Sequence, residues 1–165
     1  MTMAPSVWEE RADGYRHSEA HRTGADLDLM IELCEGAPGV TALDVATGGG
    51  HVADRLRALG CAVTTTDAAT AMSPDIVCDA ASLPFDDASF ALVASRYATH
   101  HFADIAEAVG EMARVAADRV VVVDTLYQGE EVEQAELLRD ADHVRNYSEA
   151  EWEGLFDGAG LAVDS

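Results

Sequence analysis

Along the chain, short runs dense in β-branched and apolar residues alternate with stretches whose apolar positions recur at helical spacing. The runs Thr41–Ala46 (TALDVA), Cys61–Thr66 (CAVTTT), Phe90–Ser95 (FALVAS) and Arg119–Asp124 (RVVVVD) read as buried strands. Between them Val52, Leu56 and Leu59 share one helical face, and Ile105, Val109, Met112 and Ala116 share another. Each intervening helix thus has an apolar stripe to lay on a sheet. Ahead of the first strand, Ala25–Leu33 carries Leu29, Ile31 and Leu33 among acidic residues, which predicts a helix beside the sheet. Near the end, Ser148 and Glu151 have capping-box spacing, Trp152, Leu155, Phe156 and Ala159 form an inner face, and Gly158 and Gly160 can stop the helix. Strands alternating with helices predict an α/β fold around a mostly parallel sheet.

The chain has 165 residues, 48% of them hydrophobic, enough for one domain with a sizeable core. No internal repeat interrupts it, and the only shift in composition is the acidic stretch Gln128–Glu136, so a single domain over residues 1–165 is expected. With 31 acidic against 10 basic residues the formal charge is -21, which argues against nucleic acid and anionic membrane surfaces as partners. All ten basic residues are arginine, so the acidity fits a high-salt or high-GC background as much as a cationic partner. Cys34, Cys61 and Cys78 lack the spacing of a zinc or redox pair and read as reduced, buried thiols. The start, MTMAPSVWEERADGYR, lacks the pattern of a secretory leader, and no apolar run approaches the roughly 18 residues of a membrane span, so a cytoplasmic location is expected.

The strongest chemical signal is Leu43-Asp44-Val45-Ala46-Thr47-Gly48-Gly49-Gly50-His51, a strand that runs into a glycine turn and then a helix. Glycines at such a junction let the backbone approach a ligand. A dinucleotide fingerprint would place a third glycine where Ala53 stands, and a pyrophosphate would be repelled by Asp44 in a turn without Lys or Arg. A carboxylate there suits a cationic ligand. Asp67, 23 residues on, stands near the offset at which an acid accepts hydrogen bonds from ribose hydroxyls. Asp79, beside apolar Ala80 and Leu83, could accept an exocyclic amino group such as that of adenine. A cation, a ribose and an adenine in that order describe S-adenosylmethionine better than NAD.

At these residues the sequence resembles the class I S-adenosylmethionine-dependent methyltransferases, of the type 11 branch that includes ubiquinone and menaquinone biosynthesis enzymes. The resemblance starts at Tyr15–Leu27, passes through LDVATGGGHVADRL and DAASLPFDDASFALVASRYATHHF, and reaches HVRNYSEAEWEGLFDGAGL. It implies a three-layer Rossmann-like fold and S-adenosylmethionine as cofactor. It also implies that Asp44, Ala46, Gly48 and Gly50 hold the methionine part, that Asp67 with Ala68 binds the ribose, and that Asp79 and Ala80 meet the adenine edge. Arg96 falls where the family lines the methionine end, and Tyr15 and His21 match a segment that often closes over the cofactor.

The sequence departs from the family at two places. Only AATAMSPDIVC separates Asp67 from Asp79, where the family usually has a helix and a further strand, so the helix should be absent or a single turn and the ribose side more open. The family's closing antiparallel pair is also incomplete, since the sequence given stops at Ser165. A sheet edge left exposed would invite a second copy of the chain, so a homodimer covering it is expected.

For the chemistry, the best-placed residues lie in Ser95-Arg96-Tyr97-Ala98-Thr99-His100-His101-Phe102, in the loop after the fourth strand of the pattern. His100 or His101 could take a proton near neutral pH, His101 first; each could equally cap the following helix. Asp44, Asp67 and Asp79 have the competing reading of local turn bonding, and Asp124 could face the acceptor or cap the next segment of the chain. His143 and Arg145 read as a solvated loop. The histidines and acids form no compact metal-ligand set. SRYATHHF is not the Asn/Asp-Pro-Pro-Tyr sequence with which related enzymes grip a planar nitrogen, so a small organic methyl acceptor is expected. The competing readings are a non-catalytic cofactor-binding or assembly module and, more remotely, a dinucleotide-dependent oxidoreductase.

Overall fold

The computed structural model describes residues 7–163. Helices α1 (Val7–His17), α2 (Glu19–Arg22) and α3 (Ala25–Cys34) precede β1 (Thr41–Val45), α4 (His51–Ala58) and β2 (Ala62–Asp67). Next come β3 (Ile76–Val77), β4 (Phe90–Arg96), α5 (Ile105–Val115), β5 (Ala116–Val123), α6 (Glu130–Arg139) and α7 (Glu149–Gly158). The strands form one sheet in the order β3-β2-β1-β4-β5, and every pairing is parallel.

Because the sheet is covered on both faces, its strands are apolar at successive positions rather than at alternate ones. Leu43, Val45 and Val93 pack on one side with Val109, Met112 and Val115 of α5 and Trp152 of α7. Ala42, Leu92, Ala94 and Val121 pack on the other with Leu27, Met30 and Ile31 of α3 and Val52 and Leu56 of α4. Each strand therefore feeds both layers by the two-residue alternation of its side chains. The expected α/β architecture of three layers is the one observed.

Local chemistry explains the element ends. The Ser148 hydroxyl accepts from Glu151 N, and the Glu151 carboxylate accepts from Ser148 N, so the expected capping box closes the start of α7. Four expectations shift. The stripe of α3 is Leu27, Met30, Ile31 and Cys34, while Leu29 and Leu33 are 54% and 51% exposed. Leu59 caps α4 and is exposed. Ala116 opens β5 instead of closing α5. Within AATAMSPDIVC the helix is reduced to a single 3₁₀ turn at Thr70–Met72, but a strand, β3, survives that the sequence pattern did not reveal.

The short crossover is stapled to the sheet by Asp75, whose Oδ2 accepts from the amide and the hydroxyl of Thr65, both at 2.9 Å. Over the 70–72 turn lies α1, with Ala12 packed on Ala69 and Met72 and the Arg16 guanidinium donating to the Ala71 carbonyl. The short crossover, where a more open side was expected, is thus covered by a neighbouring helix at the 70–72 turn.

Candidate functional site

β1 ends in a left-handed turn. Ala46 and Gly48 have φ of 55° and 51°, and Gly50 has φ of 79° at the start of α4. Gly50 has no side chain to cap that helix, and Asp44 does so instead: its Oδ2 accepts from Ala53 N at 3.2 Å and from the Thr47 hydroxyl at 2.6 Å. The turn-bonding reading of Asp44 is therefore realised. Its carboxylate is only 2% exposed, and burial raises its pKa to about 6 against the bonds from Thr47 and Ala53.

At the end of β2, Asp67 Oδ2 accepts from Gly48 N at 2.9 Å and Oδ1 from Ala69 N at 2.9 Å. These two bonds orient the carboxylate at the rim of the cavity. Asp79, exposed after β3, accepts from Ala81 N at 2.9 Å, the local turn bond that the sequence allowed.

These residues converge on a cavity of about 280 Å³ at the carboxyl ends of the strands, near the lower end of the roughly 300–1,000 Å³ usual for small-molecule sites. His21, Asp44, Ala46, Gly48, Asp67, Ala68, Asp79, Ala80, Arg96 and His101 all line it. Gly50 and His100 are not among its lining residues. The Tyr15 side chain lies outside the described residues. A Cβ added at Gly48 would meet nothing nearer than the Ala46 carbonyl at 4.0 Å, so the glycine there keeps space open toward the cavity. Sequence reasoning passed over Met72, Cys78, Tyr97 and Phe102, which also line it. Tyr97 and Phe102 flank the histidines in the quoted strand-four segment, whereas nothing in the spacing marked Met72.

Arg96 lines the cavity but is already engaged. Its Nε donates to Asp26 Oδ2 at 2.8 Å and its Nη1 to the His21 carbonyl at 2.8 Å. The arginine thereby ties β4 to the start of α3 and to α2.

The two histidines divide their work. His100 Nδ1 lies 2.6 Å from Asp124 Oδ1, and the other Asp124 oxygen accepts from His100 N at 3.0 Å and from the Thr99 hydroxyl. Burial opposes ionisation of Asp124, but the bonds from His100, Thr99 and Thr125 outweigh it and hold the carboxyl below the usual range. Asp124 thus clamps the 99–101 turn and is not among the residues lining the cavity. His101 borders the cavity, with Nδ1 3.0 Å from the Asp142 carbonyl. A carbonyl can only accept, so Nδ1 carries the proton, and Nε2 of neutral His101 is the nitrogen with the lone pair. Burial, and then His100 alongside at 4.0 Å between ring centroids, lower its pKa from the usual 6.5. His143, expected in a solvated loop, is instead buried, with Nε2 2.8 Å from Glu133 Oε1. Among the described residues no group of three or more His, Cys, Asp or Glu is disposed to hold a metal ion.

The family described as a methyltransferase domain matches residues 43–123. YcgJ of Bacillus subtilis, described as an uncharacterized methyltransferase, is 33% identical over 178 aligned residues, spanning 94% of this chain and 70% of YcgJ. The crystal structure of YcgJ superposes with a TM-score of 0.76 at 32% identity, over 83% of this chain and 68% of that one. At the level of fold alone, a complex of the Haloferax volcanii Trm112 methyltransferase activator with a protein described as a methyltransferase gives 0.86 at 24% identity, over 99% of this chain and 80% of that one. A SAM-dependent methyltransferase from Aquifex aeolicus gives 0.74 at 15% identity, over 95% and 90%. With a cavity at the strand ends, and a relative that aligns over nearly the whole chain, this protein belongs to the methyltransferase domain family.

Proposed function

We propose that the protein, acting as one domain, moves the methyl group of S-adenosylmethionine onto a small organic acceptor by in-line displacement, with His101 as the base when the acceptor must lose a proton. S-adenosylmethionine is the cofactor of this family member. When bound, it supplies a methyl carbon whose bond to sulfur breaks with the electron pair returning to sulfur as the acceptor atom bonds to carbon.

The observation that carries this reading is the convergence of Asp44, Gly48, Asp67, Asp79 and His101 on one cavity. In the proposal Asp67, steadied by Gly48 N and Ala69 N, accepts from the ribose hydroxyls, and Ala68 borders the same group. Asp79 accepts from the adenine amino group, with Ala80 and Met72 supplying apolar surface for the ring. The open backbone of Ala46–Gly48 admits the methionine part, and Asp44 offsets its positive charge. His21 and Arg96 close that end. His101 Nε2 accepts the acceptor's proton, and Tyr97 and Phe102 help keep water out. Alignment in a dry chamber is itself a large part of the rate for such a displacement. A surface with net charge -21 speaks against nucleic acid as the acceptor. No described helix is long and apolar enough to cross a membrane. The three free cysteines support a reducing, cytoplasmic setting.

The test uses cofactor labelled on the methyl group with a panel of quinols, phenols and amines. Label should pass to at least one class, and Asp67→Ala should weaken S-adenosylhomocysteine binding by about 1–3 kcal/mol in calorimetry. Tight cofactor binding with no product across the panel would replace this reading with a non-catalytic module.

A further inference from the structure

Helix α6 presents an anomaly. Its one buried residue is a carboxylate, Glu133, 8% exposed, whereas Val132, Leu137 and Leu138 face outward. A helix docked for stability alone would do better with an apolar residue there, because desolvating a carboxylate is costly. Glu133 instead acts as an acceptor for the following loop: Oε1 takes His143 Nε2 and Asn146 N, both at 2.8 Å, and Oε2 takes Asn146 Nδ2 at 3.2 Å.

That loop, residues 140–147, is the one that touches the 99–101 turn. Val144 N and Arg145 N donate to the His100 carbonyl at 2.8 and 3.2 Å, and the Asp142 carbonyl accepts from His101 Nδ1. The chain of contacts therefore runs from Glu133 through His143 and Asn146 to the carbonyl that fixes the proton on the cavity histidine. We propose that Glu133 is a positioning residue: by holding loop 140–147 it keeps the Asp142 carbonyl on His101 Nδ1 and so presents Nε2 as the base. This rests on the reading of His101 given above. Among the described residues, those facing His101 include His100 on its own turn, Asp124 just after β5, and Asp140, Asp142 and His143 of the loop.

The test combines the tautomer with the rate. Nitrogen-15 spectra of histidine-labelled protein should show Nδ1 protonated and Nε2 unprotonated at His101 in the native protein. Glu133→Gln, which keeps an acceptor oxygen for Asn146 N, should preserve that pattern. Glu133→Ala should shift His101 several-fold toward the opposite tautomer. It should also lower kcat for the acceptor found in the panel by about ten-fold, with KM for the cofactor unchanged, and move the acidic limb of the pH profile downward, because the Asp142 carbonyl that favours the protonated ring is lost. If Glu133→Ala does not fold, Asn146→Ala, which removes one of the three bonds, takes its place with the same outcomes. A folded variant in which His101 keeps its proton on Nδ1 overturns the proposal and leaves Glu133 a docking residue. A changed tautomer with an unchanged rate upholds the positioning and removes His101 as the base, an outcome that His101→Gln checks independently.

Discussion

Asp44 sits at the end of β1 as a carboxylate almost without water, and its raised pKa has a definite consequence for stability. Its folded-state pKa of about 6 stands above the ordinary 3.8, so between these values the folded protein binds more protons than the unfolded chain. Stability contributed at this site is thus present in acid and falls as pH rises toward 6, a loss on the order of 3 kcal/mol. Asp44→Asn, which keeps an oxygen for Thr47 and Ala53, should remove that slope. Comparing the two proteins by thermal unfolding at pH 4 and pH 7.5 cancels the other acids. The variant should gain about 1–3 kcal/mol at the higher pH while binding the cofactor more weakly. Equal gains at both pH values would show that burial of the charge is not the cause. At this scale the acids of the site were legible, because chain position after a strand fixes where a residue stands on the sheet rim. The roles of Glu133 and His143 were not, because their partners are brought together by the fold rather than by spacing.

Among the elements, β1, β2, β4 and β5 were readable from β-branched runs, and α7 from its capping box. β3 was not, since two residues carry no periodicity. α3 shows how a correct element can be given the wrong face. Leu29, Ile31 and Leu33 recur every second residue, a spacing that winds round a helix, whereas Leu27, Met30, Ile31 and Cys34 are related by three- and four-residue steps and lie on one side. Met30→Ala should therefore cost about 2–5 kcal/mol in urea unfolding, and Leu29→Ala less than about 0.5 kcal/mol. Similar costs for the two would mean that the helix packs on both faces. The crossover from β2 to β3 shows a different limit of sequence reading. Loss of its helix could be seen in the length of the segment, but its cover by α1 is a contact between distant parts of the chain.

The molecule as a whole carries a charge that opposes its own compactness and its association. Raising salt from about 0.1 to about 1 M shortens the screening length from about 10 to about 3 Å, so thermal stability should rise across that range. Among the described residues β5 is a long sheet edge, paired on one side only, with β4. A homodimer formed on this edge should appear in light scattering at micromolar concentration and high salt, and a monomeric mass at every salt concentration removes it. The engagement of Arg96 bears on what can enter. The one arginine among the described residues of the chamber is bound by Asp26 and a carbonyl, and the imidazoles of His21 and His101 are both held toward neutrality by burial. A phosphorylated or strongly anionic metabolite would meet the carboxylates of Asp44, Asp67 and Asp79 there and an arginine already engaged. In the labelled panel, acceptors should therefore sort by sign as well as by size, with uncharged or positively charged compounds taking the label ahead of anionic ones.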